Sequence, residues 1–549
     1  MRKYILVVCC FVLISLSFTK DDQYFEISKN LDIFSTLYKE LNTYYVDDIQ
    51  ASEIMRTGID AMLSSLDPYT QFISEAEIED FRFQTTGKYG GIGALIGKMG
   101  SYVVITEPYE NSPANKAGLL AGDKLVSIDG KDVISKTTDD VSKLLKGQPG
   151  SKVELKVRRL LSNGSETDMV ISLVREEIHI NNVSYYGLVD NEIGLIQLEH
   201  FTQDAGKEVK EALETLKSKN KLNGVILDLR GNPGGLLNEA VNVANVFVDK
   251  GEEIVSTRGK VDEWDRTFKS INPVTDNNIP LIVLTNSGSA SAAEIVSGSI
   301  QDLDRGVIIG QRTFGKGLVQ TTRSLSYNTK LKVTTAKYYI PSGRCIQAIN
   351  YAEKGPEGEV KKIPDSLKVA FKTRSGRVVY DGGGIDPDVP TDELTLSKIA
   401  ESLVTKNLIF DFATMYRSKH NTINSAKEFT ISNQDFEEFA KFIADKDYSY
   451  STQSESILKE LEAVTVEEKY FDAVNNDLKI LAKKIETDKG KDVFKQKEEI
   501  ISLINEEISE RYYLRKGRIE ASFKNDPDII KAVNIFKNVN DYNKILNKK

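Results

Sequence analysis

The stretch TNSGSASAAEIVSGSIQDLDRGVIIGQRTFGKGLVQ, residues 285–320, decides the fold of the chain around it. An apolar run of strand length, Pro280 to Leu284, precedes it, and apolar residues at helical spacing follow from Ala292 to Leu303. Ser291 is therefore predicted at a strand-to-helix turn, where free N–H groups and the helix dipole stabilise negative charge. This position favours a nucleophile. Ser291 and Glu294 also match a capping box, which would only satisfy N–H groups at the helix start.

Lys316 is predicted to return to the same place. A helix of about twelve residues carries the chain roughly 18 Å from Ser291, and the strand from Gly306 to Thr313 carries it back by a similar length. Lysine serves as a base only if burial lowers its pKa from about 10.4 toward neutrality, and the glycines on both sides would let the backbone enclose it. The alternative interpretation of Lys316 is a lysine in a solvated glycine turn.

Together these residues resemble the carboxyl-terminal processing proteases, also called tail-specific proteases. The catalytic segment of that family reads Ser-Ala-Ser-Ala-x-Glu-Ile, then Gln-Asp, then Phe-Gly-Lys-Gly-x-Val-Gln, and the match spans the whole stretch. The resemblance implies Ser291 as nucleophile, Lys316 as general base, Gln320 as a residue that orients the lysine, and Asp302 as an accessory position near the site. It also implies an α/β crotonase/ClpP-like serine protease domain.

Length and composition indicate a globular protein of roughly three or four domains with real cores, and the helices and strands predicted along the chain make the fold class α+β. The chain has 549 residues, of which 40% are hydrophobic. Its net charge of −9, from 72 basic and 81 acidic residues, implies neither a nucleic-acid partner nor attraction to anionic lipid. The three histidines have no metal-ligand or triad spacing, so no metal or organic cofactor is implied.

Residues 1–19 have the form of a signal peptide. Arg2 and Lys3 precede an apolar run from Tyr4 to Leu16, and small residues follow. We expect an exported protein, periplasmic or associated with the envelope, whose mature chain starts between about Ser17 and Asp21. An uncleaved anchor formed by residues 4–18 is the alternative. Removal of the signal would leave one cysteine, Cys345, and so no intramolecular disulfide.

Residues 25–85 are predicted to be helical. One face collects Leu31, Phe34, Leu37, Tyr38 and Leu41, and a second helix runs from Glu53 to Leu66. Tyr44 to Asp47 and Ser65 to Thr70 are similar to the amino-terminal helical region of the same family, which implies a possible homo-oligomer. A packing module alone is the alternative.

Residues 87–178 carry the signature of a PDZ domain. Gly90-Gly-Ile-Gly93 precedes alternating residues, and the segment from Asn111 to Gly130 resembles the centre of that domain. Consecutive glycines turn backbone N–H groups into a nest for a carboxylate, and the following strand edge can pair with an extended peptide. Gly91, Ile92 and Gly93 are therefore predicted to bind the free carboxyl terminus of a protein or peptide substrate. The helix from Thr138 to Leu145 would form the other wall.

The protease domain is predicted over residues 181–392. The buried strand Gly224–Leu229 opens into Arg230-Gly-Asn-Pro-Gly-Gly235, followed by a helix. No Gly-Lys-Ser/Thr ending is present, which argues against nucleotide binding. The family resemblance assigns this segment to the oxyanion hole, in which the N–H of Gly234 or Gly235 acts with that of Ala292. The sequence does not choose between the two glycines.

Residues 393–549 are helical and highly charged, and the resemblance does not extend to them. Their mixed charges favour solvated faces of a small helical bundle, with a partner-docking arm as the alternative. The whole sequence is interpreted as an exported serine endopeptidase that cleaves substrates near their carboxyl termini after PDZ recognition. The rival hypotheses are a non-catalytic PDZ peptide receptor and a crotonase-like acyl-group enzyme.

Overall fold

A computed structural model describes residues 24–354, 360–489 and 491–547. The predicted signal peptide lies outside these residues. The chain forms two compact units, one made of residues up to Ser74 together with Thr321–Thr334, and one made of Glu75–Gln320 and Thr335–Lys549. Within the described part of the chain, no helix has the length and apolar character needed to cross a membrane.

The first unit contains the predicted amino-terminal helices. Residues 24–44 form one helix and Ala51–Ser64 form another. Asp67 ends this region, because its carboxylate accepts the N–H groups of Tyr69 and Thr70, both at 2.8 Å. The chain then forms a short strand, Gln71–Ile73, that pairs antiparallel with Lys330 to Lys332. The sequence analysis assigned helix here, and the strand forms because a partner distant in sequence supplies its hydrogen bonds.

The PDZ domain is an antiparallel sheet with two helices. Its strands lie in the order Ala94–Met99, Tyr102–Pro108, Lys124–Ile128, Lys152–Leu160 and Glu166–Val174. The predicted helix Thr138–Leu145 is confirmed, and Thr137 and Asp140 form a capping box at its start. The strand Ala94–Met99 is at the end of the sheet path, so its outer edge is available to an added strand.

A six-stranded sheet forms the centre of the protease domain. Its first two strands, Val183–Asp190 and Ile193–Leu198, are antiparallel, and parallel strands Gly224–Asp228, Leu281–Thr285, Val307–Gly310 and Val389–Pro390 follow. The first three of these parallel strands are continuous runs of buried residues, as expected for a sheet that is covered on both faces, whereas Val389–Pro390 at the edge is only partly buried. Three helices cover one face: Ala205–Lys219, Leu237–Phe247 and Ala292–Asp302.

The carboxyl-terminal helices form a bundle and also cover the second face of the protease sheet. The bundle core combines residues of Lys398–Thr405, Leu408–Lys419, Asn433–Ile443 and the first part of Lys497–Ser522. The last helices, Pro527–Lys537 and Val539–Ile545, place Ile529, Phe536 and Tyr542 in one core with strand residues such as Ile226 and Ile282. The extension is therefore more than a bundle with solvated faces, because it completes the protease core.

Candidate active site

Ser291 lies at the predicted strand-to-helix turn, directly before the helix Ala292–Asp302. Its backbone has φ 56° and ψ −111°, a conformation that non-glycine residues rarely adopt. The Ser291 N–H donates to the Glu294 carboxylate at 2.8 Å, while the Glu294 N–H donates to the Ser291 carbonyl at 2.9 Å. Glu294 therefore caps the helix start, and this contact fixes the strained turn.

Glu294 also binds the segment that contains Lys316. One carboxylate oxygen, Oε2, accepts both the Ser291 N–H and the Lys316 N–H at 2.8 Å each. The other oxygen, Oε1, accepts the Thr313 hydroxyl at 2.5 Å and the Gly315 N–H at 2.7 Å. The predicted return of the glycine loop to the Ser291 turn is confirmed. Glu294 fixes this loop, although the sequence analysis considered Glu294 only as part of a helix cap.

Burial sets the protonation of this carboxyl group. Glu294 is fully buried, and the loss of solvent raises its pKa from 4.5 to about 7. The four donors oppose this shift, since they stabilise the ionised form. The buried carboxylate is thus compensated by hydrogen bonds from both halves of the site.

Two further contacts connect the Lys316 loop to the Ser291 turn. The Phe314 N–H donates to the Ser289 carbonyl at 3.0 Å. The buried hydroxyl of Tyr338 lies 2.5 Å from the Lys316 carbonyl and 3.1 Å from that of Ser291. The backbones of the two residues are therefore attached to each other through the carboxyl group of Glu294 and the hydroxyl group of Tyr338.

The glycine segment Gly234–Gly235 packs against the nucleophile turn. A methyl group on Gly234 would lie only 2.8 Å from the Ala292 nitrogen. The Gly234 N–H already donates to the Asn232 side chain at 2.8 Å. Within the described part of the chain, the N–H groups of Gly235 and Ala292 donate to no protein group. The geometry therefore distinguishes the two glycines, which the sequence could not do.

The sequence analysis missed two residues that position this segment. Asn232 is fully buried, and its carbonyl accepts the Ala290 N–H at 2.9 Å while its side-chain amide donates to the Leu198 carbonyl at 2.7 Å. Arg230 binds Asp228 and reaches Asp526 and Asp528 of the carboxyl-terminal helices at 2.8 and 3.0 Å. Asn232 carried no sequence signal beyond its glycine-rich neighbours, and the Arg230 contacts join residues almost 300 positions apart.

Asp302 is not near Ser291. It is the last residue of the helix that begins after Ser291, which places it roughly 16 Å away at 1.5 Å per residue. Its carboxylate forms a buried ion pair with Arg344 at 2.8 Å and accepts the Ser342 N–H at 2.9 Å. The prediction that Asp302 lies near the site is thus wrong, because the length of the helix separates it from Ser291.

Gln320 is half-buried in the strand Leu318–Ser324, which directly follows the Lys316 loop.

The PDZ loop presents two donors beside the edge strand. The carbonyls of Ile92 and Gly93 accept the N–H groups of Ala114 and Tyr109, both at 2.9 Å. The N–H groups of the same two residues donate to no other group of the described chain. Gly91 instead ends a strand that pairs with Glu176. The loop thus has two unused N–H groups where the sequence predicts carboxylate binding.

Metal binding and the one described cysteine are two other potential sources of chemistry. Among the described residues, no group of three or more His, Cys, Asp or Glu side chains could hold a metal ion. The thiol of Cys345 is free, and burial raises its pKa. A buried thiol with a raised pKa is a poor nucleophile.

Three family profiles match the chain. Peptidase family S41 matches residues 192–353, the PDZ domain matches 104–159, and the carboxyl-terminal helical domain of probable PDZ-proteases matches 399–536. The last match corrects the expectation that the family resemblance ends before residue 393. The helical extension is a domain that other PDZ-proteases share.

This chain aligns with most of the length of several relatives whose family is known. A carboxy-terminal-processing protease of Bartonella bacilliformis is 38% identical over 325 residues, 58% of this chain and 73% of the relative. A probable CtpA-like serine protease of Staphylococcus aureus is 34% identical over 391 residues, 70% of this chain and 75% of the relative. The solved photosystem II D1 C-terminal processing protease is 28% identical, with a TM-score of 0.34 over 66% of this chain and 92% of that structure. The chain therefore belongs to the carboxy-terminal-processing proteases of peptidase family S41, and it is a serine-type peptidase.

Proposed function

We propose that this chain is an exported endopeptidase that cleaves proteins near their carboxyl termini with a Ser291–Lys316 dyad, after its PDZ domain has bound the substrate tail. One observation carries the proposal. The N–H groups of Ser291 and Lys316 share one oxygen of the buried Glu294. Residues 25 positions apart in sequence, and bound to the same atom, suit a nucleophile and its base.

The chemistry follows from these positions. The Ser291 oxygen forms a bond to the carbonyl carbon of the scissile peptide, and the neutral Lys316 amine takes the hydroxyl proton. The N–H groups of Gly235 and Ala292 stabilise the oxyanion. The protonated lysine then gives its proton to the leaving amine as the peptide bond breaks. Water attacks the acyl-enzyme, releases the new carboxyl terminus and restores the serine.

The dyad is tested by substitution. Ser291→Ala and Lys316→Ala should each abolish cleavage of an unfolded protein substrate, because nucleophile and base act as a unit. Lys316→Arg should also fail, since a guanidinium stays protonated and cannot accept the serine proton. Cleavage would be followed by mass spectrometry of the fragments, and folding by circular dichroism. Full activity in any of the three variants would reject the dyad.

Tail capture needs its own test. The unused N–H groups of Ile92 and Gly93 suit a terminal carboxylate, and the free edge of Ala94–Met99 can add an extended peptide. A substrate with a free apolar terminus should therefore be cleaved faster than its amidated twin. A short tail peptide added in trans inhibits if the domain only tethers substrate, and stimulates if occupancy also repositions the domain. Equal cleavage of both substrates, with no effect of the peptide, would remove the PDZ domain from the mechanism.

Export and self-association complete the proposal. The basic start and apolar run of residues 2–16 support cleavage of a signal near residues 17–21, and amino-terminal sequencing of native protein that returned Met1 would favour the anchor. Leu31, Phe34 and Leu37 are 64, 47 and 57% exposed. This apolar helix face suits a second copy of the chain, and light scattering of a Phe34→Asp variant should show loss of a homo-oligomer.

A further inference from the structure

A sharp corner interrupts the longest helix of the carboxyl-terminal domain. The helix Lys497–Ser522 breaks at Leu514, whose φ of 53° and ψ of −155° lie in a region used almost only by glycine. The two halves then pack closely, since a methyl group on Gly517 would lie 2.5 Å from the Ser509 carbonyl oxygen. Residues 513–516 form the tip of this corner, and we refer to them as the corner.

The corner is attached to both neighbouring domains. The Arg515 guanidinium forms an ion pair with Glu199 of the protease domain. The backbone N–H of Arg515 also lies close enough to the carboxylate of Glu107 in the PDZ domain to lower its pKa. Glu107 is the antiparallel partner of Leu95 in the edge strand Ala94–Met99. The corner therefore lies beside the strand edge where a substrate tail is proposed to pair.

A cavity of about 530 Å³ separates these elements. Ile92, Ala94 and Ile96 of the PDZ strand region and Leu145 of the PDZ helix line one side. The corner lines the other side with Glu199 and His200. The cavity thus has an apolar wall from the PDZ domain and a charged wall from the other two domains.

The pleat of an added strand determines which tail residue meets which wall. With its carboxylate on the N–H groups of Ile92 and Gly93, a tail lies along the strand from Ala94 to Ile96. The Ala94 and Ile96 side chains pack on the PDZ core, whereas Leu95 is 41% exposed on the other face. Successive side chains of an extended chain point to opposite faces. The last side chain of the tail and the third from the end therefore face the apolar wall. The penultimate side chain points to the opposite face of the sheet, which carries the Leu95 side chain and lies next to the corner.

We propose that the carboxyl-terminal helical domain reads the penultimate residue of the bound tail through Lys516 and favours an acidic side chain there. This inference rests on the proposed tail capture. Arg515 is neutralised by Glu199, and Lys146 lies 3.0 Å from Asp80. Within the described residues, Lys516 has no ion-pair partner.

Acidic groups near the cavity do not cancel this charge at the penultimate position. Glu107 is buried, and the Arg515 and Arg518 guanidinium groups lie close enough to offset its negative charge. Glu110 also lines the cavity, but it follows Tyr109, whose N–H donates to the Gly93 carbonyl. Glu110 therefore lies near the position proposed for the tail carboxylate, and not near the penultimate side chain. His179 and His200 line the cavity as well, but neither is an acidic group.

The test uses the full chain with Ser291→Ala, which binds tails without cutting them. Fluorescent peptides that end in valine and differ only in the penultimate residue, Asp, Asn or Lys, are compared by fluorescence anisotropy at pH 8. The Asp peptide should bind about fivefold more tightly than the Lys peptide, as expected for one partly exposed charge pair. Lys516→Glu should reverse that order, and Lys516→Gln should abolish it.

A matched control and an amidated peptide separate the possible failures. Lys524→Glu makes the same charge change at an exposed position of the same domain that does not line the cavity, and it should leave the order unchanged. If free-acid peptides bind better than amides but the penultimate residue has no effect, the inference fails and tail capture stands. An Asp preference that persists in Lys516→Glu also overturns it. Equal binding of acids and amides would overturn tail capture itself.

Discussion

Ser291 and Leu514 both adopt an unusual backbone conformation, but different contacts stabilise it. Both have a φ above 50°, with ψ of −111° at Ser291 and −155° at Leu514, so both depart from the left-handed helical region as well. The Glu294 carboxylate, which is 0% exposed, accepts the Ser291 N–H and fixes the Ser291 turn. Ion pairs hold the corner at Leu514: Arg515 binds Glu199, with side chains 43 and 21% exposed, and Arg518 binds Glu507 and Glu510 across the bend.

The difference concerns how easily each strained residue can relax. Strain of about 1–3 kcal/mol persists only where the surroundings over-determine the conformation. At Ser291 the surroundings are a fully buried helix and a carboxyl group with four donors. At Leu514 the surroundings are ion pairs of Arg515 and Arg518, whose side chains are 43 and 40% exposed, and an exposed ion pair contributes at most about 1 kcal/mol. We expect a rigid nucleophile turn and a corner that yields at much lower cost.

The largest expected effect comes from Glu294→Gln. A glutamine amide would put its NH₂ group against two of the four donors, so the Ser291 turn and the Lys316 loop could not both keep their positions. Cleavage should fall on the order of 10²- to 10³-fold, mainly in kcat, since small displacements of reacting groups are costly. Steady-state kinetics on an unfolded substrate would measure it.

Glu499→Gln is the control for this substitution. Glu499 also accepts a backbone N–H and a hydroxyl, both from Ser397, but in the carboxyl-terminal bundle. It should lower stability without the loss in kcat. Wild-type kcat in Glu294→Gln would show that the shared carboxylate does not position the dyad.

A second prediction concerns pH. The Glu294 pKa is about 7 in the folded protein and 4.5 ordinarily, so between these values the folded state holds a proton that the unfolded state has released. The contribution of this group to stability is therefore present below about pH 4.5 and is lost as pH rises toward 7, by about 3 kcal/mol in total. The difference in unfolding free energy between wild type and Glu294→Gln should change with pH in this range and level off above pH 7. The fluorescence of Trp264, the one tryptophan, reports on the protease domain. A pH-independent difference would show that the folded pKa is not raised.

The smallest effect is expected at the corner. Leu514→Gly removes a half-buried side chain but also releases the backbone strain, whereas Leu503→Gly in a regular part of the same helix only loses stability. The Leu514 variant should be about 1–2 kcal/mol less destabilised than the Leu503 variant in denaturant unfolding followed by circular dichroism. If both variants were destabilised equally, glycine would relieve no backbone strain at Leu514.

Local patterns were sufficient for much of the molecule. Helical spacing after Ser291 predicted the helix Ala292–Asp302, and the apolar runs predicted the strands Leu281–Thr285 and Val307–Gly310. Helix and strand lengths together predicted that the Lys316 loop returns to the nucleophile turn. These predictions succeed because secondary structure follows from periodicity, and because fixed rises per residue determine where a short connection can end.

Tertiary structure alone decided the contacts between distant segments. The strand Gln71–Ile73 exists because residues near 331 pair with it, and Asp302 is structural because Arg344 meets it at the far end of the helix. The Gly234 N–H is occupied because it donates to the Asn232 side chain, and the second covering of the protease sheet comes from Pro527–Lys537. The sequence by itself determined the family, the elements and the residues of the motif. Only the folded chain decided their partners, because hydrogen bonds and ion pairs between remote residues have no periodicity that a sequence can display.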